Sequence, residues 1–278
     1  MSLLQVSKKV VKEVIALKKN ESVLIITNPT KDVKEISLSL FQSCLFKTDK
    51  VQLLVQPEKG TLDFAEDYVI KAIEQKPNVI ISVTSNRLGK DRFRIKKPLV
   101  YRKKKYTSIF NYLWRGKKCI RGFWSPGITK STYLRCVNID YKKLRRTCKK
   151  LSKLVSNAKR IRVTSSKGTD ITFSTKGRVA QIDDGDFRKP GQAGNLPSGE
   201  VFISPTIASA EGRIVFDGSL SYSKGSMVLK EPVVVEFRDG YVKRIKGGKE
   251  ATVFRREIRK GVEMPFKVFK QKKLAKEY

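Results

Sequence analysis

A change of periodicity along the chain limits what it can fold into. The first 86 residues alternate short apolar runs, ESVLIITN, VQLLVQP and NVIISVTS, with amphipathic helical segments, KDVKEISLSLFQSC and DFAEDYVIKAIEQK. Strands that alternate with helices predict an α/β domain with a mainly parallel sheet and flanking helices. Ligands of such sheets favour the carboxyl ends of the strands, here Asn28-Pro29 and Thr84-Ser85-Asn86. Neither end is a glycine-rich phosphate loop, so support for nucleotide binding is weak.

From Lys159 onward the apolar residues recur with period two. Turns that contain glycine separate the short runs RIRVTS, TDITFST, GRVAQI, GRIVFDGS, PVVVEF and YVKRIK. This pattern is typical of antiparallel strands. We therefore predict three parts: an α/β domain over residues 1–156, a smaller β-rich (α+β) domain over 157–248 that holds the NLPSGE motif, and a basic C-terminal tail over 249–278.

The charge of the chain is concentrated in one segment. Overall, 60 Lys and Arg stand against 26 Asp and Glu, a net charge of +34. Residues 87–160, the basic segment, hold 25 basic residues and two acidic ones, Asp91 and Asp140, which gives +23. A general drift toward lysine would raise every part of the chain, so it does not explain this distribution. Such a segment repels itself unless a polyanion is present, and it attracts polyanions.

Aromatic residues are interleaved with the cations of the basic segment, and we expect about half of them to pack in a core. Clustered Lys and Arg neutralise phosphates of any sequence, and exposed Tyr, Phe and Trp stack on unpaired bases. DYKKLRRTCKKLSKLVSNAKR predicts a helix with basic faces and an apolar stripe of Leu144, Cys148, Leu151 and Val155. The predicted RNA-binding residues are Lys96, Lys97, Arg102, Lys103, Lys104, Lys105, Tyr106, Trp114, Arg115, Lys117, Lys118, Arg121, Lys142, Lys143, Arg145, Arg146, Lys149 and Lys150.

Cysteine usage and hydropathy point to a cytoplasmic protein. The four cysteines show no CxxC spacing, which predicts reduced thiols. No run approaches 18 apolar residues, and no apolar stretch follows Met1. We therefore expect a soluble protein with no membrane partner.

One carboxylate, Glu200, follows a turn and opens an apolar strand in GNLPSGEVFISP. Pro197 fixes its own φ, and Ser198-Gly199 can complete a tight turn, so the segment is either a strand connector or part of a site. Nearby, DDGDF places Asp183, Asp184 and Asp186 around a glycine. These three lack the number and spacing of ligands in a calcium or magnesium loop. The chain contains no histidine.

A family resemblance rests on six segments: SVTSNRLGKDR, FWSPGIT, VTSSKGTDITF, DDGDFRKPGQAGNLPSGEVFISP, GRIVFDGS and EMPFK. Together they resemble, in order from about residue 10 to residue 278, the thermophilic metalloaminopeptidases of the aminopeptidase T and aminopeptidase S type. The resemblance implies an N-terminal α/β domain, a β-rich domain with a two-metal peptidase site, and a homodimer. It makes Glu200 the position of one metal ligand.

The chain departs from that family in its ligand set. The family's remaining ligands, a glutamate, two histidines and an aspartate, come from a segment C-terminal to where this chain stops. A two-metal hydrolase needs both ions, and catalytic zinc normally takes three protein ligands. We therefore expect Glu200 to be a remnant, unoccupied ligand, with no catalytic residues and no cofactor. Two divalent metals such as zinc or cobalt would be held only if a C-terminal segment completed the site.

Two hypotheses about function follow. In the first, the chain is a catalytically inactive derivative of a metalloaminopeptidase, a pseudoenzyme that acts as a basic, ribosome-associated protein and binds RNA, in particular ribosomal RNA. In the second, it is the N-terminal portion of a metal-dependent aminopeptidase whose other ligands lie on a missing or separate segment. The second hypothesis explains NLPSGE but leaves the charge of residues 87–160 unexplained, so we favour the first.

Overall fold

The computed structural model describes residues 2–60, 62–222 and 225–269. The chain folds into two compact units. The first consists of Met1–Leu151 together with Ile182–Val201, and the second consists of Ser152–Gln181 together with Phe202–Tyr278. The four cysteines are free thiols. No helix among the described residues is both long and apolar enough to cross a membrane.

Strands and helices alternate in the first unit, and helix α7 and strands β9 and β11 extend past its boundaries. Its helices are α1 (Leu3–Lys9), α2 (Lys31–Leu45), α3 (Asp67–Glu74), α4 (Arg92–Lys96), α5 (Ile109–Asn111), α6 (Lys130–Cys136) and α7 (Tyr141–Asn157). Short π-helical stretches, Val10–Val14 and Tyr112–Gly116, continue α1 and α5. Its strands are β1 (Val23–Thr27), β2 (Val51–Val55), β3 (Val79–Val83), β4 (Leu99–Tyr101), β5 (Lys104–Tyr106), β6 (Arg121–Trp124), β9 (Gln181–Asp183), β10 (Ala193–Asn195) and β11 (Glu200–Phe202).

Five of these strands form one parallel sheet in the order β10-β6-β3-β1-β2. In order of their appearance in the chain this is the 2-1-3-4-5 arrangement of flavodoxin-like doubly wound sheets, in which the direction of winding reverses between β1 and β3. The sequence-based prediction of an α/β fold with a mainly parallel sheet is confirmed.

Helices cover both faces of this sheet, because successive residues of β1 belong to different cores. Ile25 packs with Ile36 of α2 in one apolar cluster, whereas Ile26 packs with Ile73 of α3 in the other. Every residue of β1 and β3 is buried. Continuous apolar runs rather than alternating ones are what a parallel strand buried on both faces requires.

The edge strand β10 comes from a distant part of the chain and pairs with Gly122, Phe123 and Trp124 of β6. The sheet is tight where β6 meets β3: a Cβ on Gly122 would lie 1.7 Å from the carbonyl oxygen of Ile80. Because β10 belongs to this sheet, residues 182–201, with the NLPSGE turn, belong to the first unit. We predict from the sequence that they belong to a β-rich domain, and the predicted boundary at residue 156 falls inside α7.

The second unit is antiparallel, as the period-two pattern predicts. Its elements are β7 (Arg160–Thr164), β8 (Asp170–Ser174), β12 (Glu211–Phe216), β13 (Ser219–Tyr222), β14 (Gly225–Val228), β15 (Val233–Arg238), β16 (Tyr241–Lys246) and α8 (Lys249–Phe269). Five strands form a sheet in the order β16-β15-β12-β8-β7, and β13 and β14 form a separate hairpin.

The C-terminal segment is not the simple basic tail that its composition suggests. Residues Lys249–Phe269 form helix α8, and Ala251 and Phe254 pack with Val233 and Val235 in the core of the second unit. An apolar face on the first turns explains the helix, since burial of such a face supplies most helical stability. Residues 270–278 of the predicted tail lie outside the described residues.

Candidate nucleic-acid interface and the Glu200 carboxylate cluster

The basic segment folds into short elements that leave its charges at the surface. Of the eighteen residues predicted to bind RNA, all but four are exposed. Tyr106, Trp114 and Arg145 are half-buried, and Arg121 is buried. Nearly all of the predicted set is therefore accessible to a partner.

Few of these cations are neutralised from within the chain. Of the 25 basic residues in the segment, four pair with a carboxylate of the described residues. The pairs are Arg92 with Asp67, Arg94 with Glu74, Arg121 with Glu21, and Lys130 with Glu35. The other 21 form no ion pair with the described part of the chain, so their mutual repulsion is left for an external anion to relieve.

Strands β4 and β5 form a hairpin whose tip is basic and conformationally unusual. The two turn residues, Arg102 and Lys103, have φ values of 48° and 64°. A two-residue turn of this kind favours Asn-Gly, because residues with larger side chains cost about 1–2 kcal/mol each in the left-handed region. Both side chains are exposed, as are the neighbouring Lys104 and Lys105. Backbone strain tends to persist at functional positions, and the two strained residues here are exposed cations.

Aromatic rings lie behind this hairpin. Tyr101 and Tyr106 each meet Tyr112 edge to face, with centroid separations of 6.2 and 5.8 Å. The Lys117 ammonium lies 4.2 Å from the Tyr101 ring and the Arg102 guanidinium 5.3 Å from it. Cation–π contacts of this type hold the charges beside ring faces.

Most aromatic residues of the basic segment are neither fully buried nor free. Of the eight in residues 87–124, Phe123 is buried, Phe93 is exposed and the other six are half-buried. Phe110 and Trp124, which contact Trp114, are among the interleaved aromatics but not in the predicted RNA-binding set. The one signal for that cluster is that both tryptophans of the chain fall within residues 114–124.

Helix α7 carries the second group of cations, and the helix itself is confirmed. Tyr141 and Cys148 are buried, and Leu144 packs against the first core. Leu151 is 46% exposed, so the buried stripe is shorter than predicted. On the outer faces, exposed residues form a basic surface: Lys142, Lys143, Arg146, Lys149 and Lys150.

Arg121 belongs to the predicted RNA-binding set but is buried in the structure. It is 2% exposed, its Nη atoms pair with the Glu21 carboxylate, and its Nε and Nη2 donate to the Ile15 carbonyl at 3.1 and 3.0 Å. The prediction that it contacts RNA is wrong, because it begins strand β6 and points into the protein. Arg145 is also partly committed, since its Nη2 donates at 2.7 Å to the carbonyls of Glu13 and Gly185.

Glu200 lies at the start of β11, exposed, beside the more buried Asp183 of β9. Asp183 Oδ2 accepts from the Asn195 N–H at 2.8 Å, and the Asp183 carbonyl accepts from the Gly199 N–H at 2.9 Å. A Cβ on Gly194 would lie 2.7 Å from the Asp183 carboxylate. Residues 194–199 therefore pack closely on Asp183, against both its carboxylate and its main-chain carbonyl.

The Asp183 carboxylate is electrostatically unfavourable. Burial raises its pKa, the charges of Glu200 and Asp184 raise it further, and hydrogen bonds from Asn195 and Ser198 only partly oppose them. Its Oδ1 atom is buried and has no hydrogen-bond partner among the described residues.

The two-metal site implied by the resemblance does not fit the residues that the structure describes. In that part of the chain no group of three or more His, Cys, Asp and Glu side chains is placed to hold a metal ion. Asp186 is engaged elsewhere, in a bidentate pair with Arg188 at 2.6 and 2.8 Å. Glu200 and Asp183 thus form a carboxylate pair rather than a complete ligand set.

Two solved structures resemble this chain in fold. Wild-type AmpT from Thermus thermophilus matches with a TM-score of 0.57 and 13% identity over 91% of this chain and 73% of AmpT. A 2,5-dihydroxypyridine dioxygenase from Pseudomonas putida KT2440 matches with a TM-score of 0.66 and 18% identity over 94% of this chain and 72% of that one.

The match to a family by sequence covers less of the chain than the structural matches do. The profile of the family described as NicX, 2,5-dihydroxypyridine 5,6-dioxygenase, matches residues 134–263. No curated protein matches the sequence significantly. The resemblance to aminopeptidase T is therefore supported in its fold, which is shared with a dioxygenase as well.

Proposed function

We propose that this chain is an RNA-binding protein built on an aminopeptidase-related fold, catalytically inactive by itself, with ribosomal RNA as its partner. The observation that carries the proposal is the basic segment. It holds +23, and 21 of its 25 cations form no ion pair with the described carboxylates. A folded protein with this much uncompensated charge in one segment is suited to a polyanion.

Two surfaces would contact phosphates. The hairpin cluster is Arg102, Lys103, Lys104 and Lys105, and the helix cluster is Lys142, Lys143, Arg146, Lys149 and Lys150, all of them exposed. Each phosphate that a cation neutralises releases counterions, so binding should weaken steeply with salt. Half-buried aromatic rings beside the hairpin give unpaired bases a surface on which to stack.

The test compares three variants that each lose four positive charges. One replaces the hairpin cluster with Gln, and one replaces Lys142, Lys143, Arg146 and Lys149 of the helix cluster. The matched control replaces the exposed Lys12, Lys19, Lys34 and Lys47 outside the basic segment. Affinity for a single-stranded RNA is measured from 0.05 to 0.3 M salt.

Either cluster variant should lower the salt slope by about 0.7 for each lost contact, and the control should change it far less. Melting temperatures should stay close to the parent value, because exposed charges contribute little to stability. The proposal fails if the parent chain binds RNA no better than a neutral protein near physiological salt. It fails equally if the cluster variants bind as the control does.

A second candidate function is the metal-dependent enzyme of the alternative hypothesis, with further ligands supplied by another segment. The Asp183 Oδ1 atom favours it: this atom is buried beside Glu200 and has no hydrogen-bond partner in the described part of the chain, so a cation could satisfy it. AmpT and the dioxygenase, whose folds are similar to that of this chain, are enzymes.

This candidate is tested on the purified chain with added zinc, cobalt or manganese. We expect no release of N-terminal leucine from a peptide and no stoichiometric metal after dialysis. About one metal equivalent or more, lost in Glu200→Ala, would favour the enzyme over the RNA-binding protein.

A further inference from the structure

A cavity of about 250 Å³ opens at the carboxyl ends of β3 and β6, the edge where ligands of such sheets are expected. Its walls are mostly apolar and include the rings of Phe110, Trp114 and Trp124. Ligand pockets in proteins commonly measure about 300–1,000 Å³. The size of this one therefore suits a single small ring system rather than a large ligand.

The three rings are arranged to receive another ring. Trp114 and Trp124 meet at 5.3 Å and 70°, Phe110 and Trp124 at 6.1 Å and 78°, and Phe110 and Trp114 at 5.9 Å and 46°. None of these pairs is stacked face to face, so a planar ligand could stack on a ring face. The Trp114 indole N–H donates to the Gly191 carbonyl at 3.1 Å, which fixes that ring.

Five polar side chains also line this cavity. The hydroxyls of Ser82 and Thr84 lie at the end of β3, and the side chains of Asn86, Arg87 and Asn111 complete the lining. None of these five side chains makes a hydrogen bond or ion pair within the described parts of the chain. Amide groups supply both donors and acceptors, which is what the edge of a heteroaromatic ring requires. An apolar pocket with a few convergent polar groups is the expected form of a ligand site.

Charge indicates which heteroaromatic ligand fits. No carboxylate lines the cavity among the described residues, and Arg87 is exposed beside it. The guanidinium of Arg115 lies 4.3 Å from the Trp114 ring. A planar base carrying a phosphate satisfies both the rings and the cations. We propose that this cavity holds one unstacked nucleobase of the bound RNA, an inference that rests on the proposed RNA binding.

Intrinsic fluorescence tests the proposal directly, because Trp114 and Trp124 are the two tryptophans of the chain and both line the cavity. The probes are a short oligoadenylate, a backbone of equal length with abasic residues, and AMP alone. The oligoadenylate should quench the emission. The abasic backbone should bind with the same salt slope, without quenching, and about 5- to 150-fold more weakly, the ratio expected for loss of one stacked base.

Two kinds of variant separate the cavity from the stability of the fold. Trp124→Ala removes one of the rings that line the cavity, whereas Ser82→Leu places a larger side chain in it. Both variants should bind the oligoadenylate more weakly and the abasic backbone unchanged. Phe46→Ala is the matched control, because Phe46 is 64% exposed and lies outside the cavity. Trp114→Phe and Trp124→Phe show which ring reports the quenching.

The outcomes distinguish this inference from the proposed function. RNA binding with a steep salt slope, but with neither quenching nor an effect of Ser82→Leu, would overturn the base site and leave RNA binding intact. Quenching by AMP without quenching by the oligoadenylate would assign the cavity to a free nucleotide and overturn the RNA source. Absence of any RNA binding overturns both proposals.

Discussion

Arg121 and Glu21 form a bidentate ion pair, with nitrogen–oxygen distances of 2.8 and 2.6 Å, near the amino ends of β6 and β1. The Arg121 side chain also satisfies the Ile15 carbonyl. Arg121 is buried and Glu21 is half-buried, so Arg121→Ala leaves the Glu21 charge uncompensated and partly desolvated. The free energy of unfolding should fall by about 3 kcal/mol, the low end of the range for a buried pair. Urea denaturation measures this, with the exposed Arg115→Ala as control for stability. An unchanged urea midpoint would show that the pair is not structural.

The same pair should make stability depend on acid. Burial raises the pKa of Glu21, but hydrogen bonds from Arg121 and the Lys18 backbone N–H, with the charges of both residues, outweigh burial and leave it lowered. A carboxyl group with a depressed folded-state pKa stabilises the fold above its unfolded pKa, about 4.3, and this contribution is lost as pH falls through the folded value. Urea midpoints between pH 6 and 3 should fall less steeply in Arg121→Gln than in the parent. Parallel curves would contradict the assignment.

The hairpin tip should show stability and binding changing in opposite directions. Replacing Arg102-Lys103 with Asn-Gly supplies residues that favour positive φ, so the protein should become about 1 kcal/mol more stable. The same double variant removes two cations and should lower the RNA salt slope by about 1.4. Lys104→Gln with Lys105→Gln removes the same charge without altering the turn, and should weaken binding at unchanged stability. A loss of stability in the Asn-Gly variant would show that the Arg102-Lys103 turn is not strained.

Gly122 should tolerate no side chain. Its missing Cβ would lie 1.7 Å from the Ile80 carbonyl oxygen, in the sheet where β6 pairs with β3. Gly122→Ala should therefore destabilise the protein by more than about 4 kcal/mol or prevent folding. A Cβ added to Gly218 would meet no atom of the described residues within 4 Å, so Gly218→Ala should change stability by no more than about 0.5 kcal/mol. Thermal denaturation of both variants provides the comparison, and equal melting temperatures would be contrary to this account.

The carboxylate pair should be electrostatically coupled. Because the charge of Glu200 contributes to the raised pKa of Asp183, Glu200→Gln should lower that pKa. Burial is the larger cause and persists in the variant, so the pKa should stay above that of an ordinary aspartate. Carbon-13 NMR titration of labelled aspartates measures the change. A pKa that does not move would mean that Glu200 and Asp183 do not interact.

The sequence predicts the regular parts of this fold because their patterns are local. Continuous apolar runs identify β1 and β3, and the period of Leu144 and Cys148 identifies α7. β6 is not predicted, because its four residues, Arg121–Trp124, are too few to show a pattern and come directly after a stretch rich in cations. Its neighbour β10 is three residues long and is defined by pairing across the sheet rather than by its own sequence.

The candidate nucleic-acid interface can be predicted from the sequence to a similar extent. Charge density alone identifies the exposed cations of the hairpin and of α7. It cannot identify Arg121 as buried, because a guanidinium that satisfies Glu21 and the Ile15 carbonyl depends on contacts about 100 residues apart. The cavity beside Trp114 and Trp124 is likewise a product of packing, and no spacing in the sequence specifies its volume.

The return of β10 to the first unit has a consequence for how the protein is made. Strand β6 ends at Trp124 and its edge partner begins at Ala193, so nearly 70 residues are translated before that edge is covered. At ordinary rates of synthesis this takes roughly 3–14 s. During that interval the nascent chain carries four strands of the sheet with β6 as an open edge, a template for pairing with another chain. A ribosome that stalls within this window would hold an aggregation-prone intermediate, although its first 151 residues already contain most of the first unit's core.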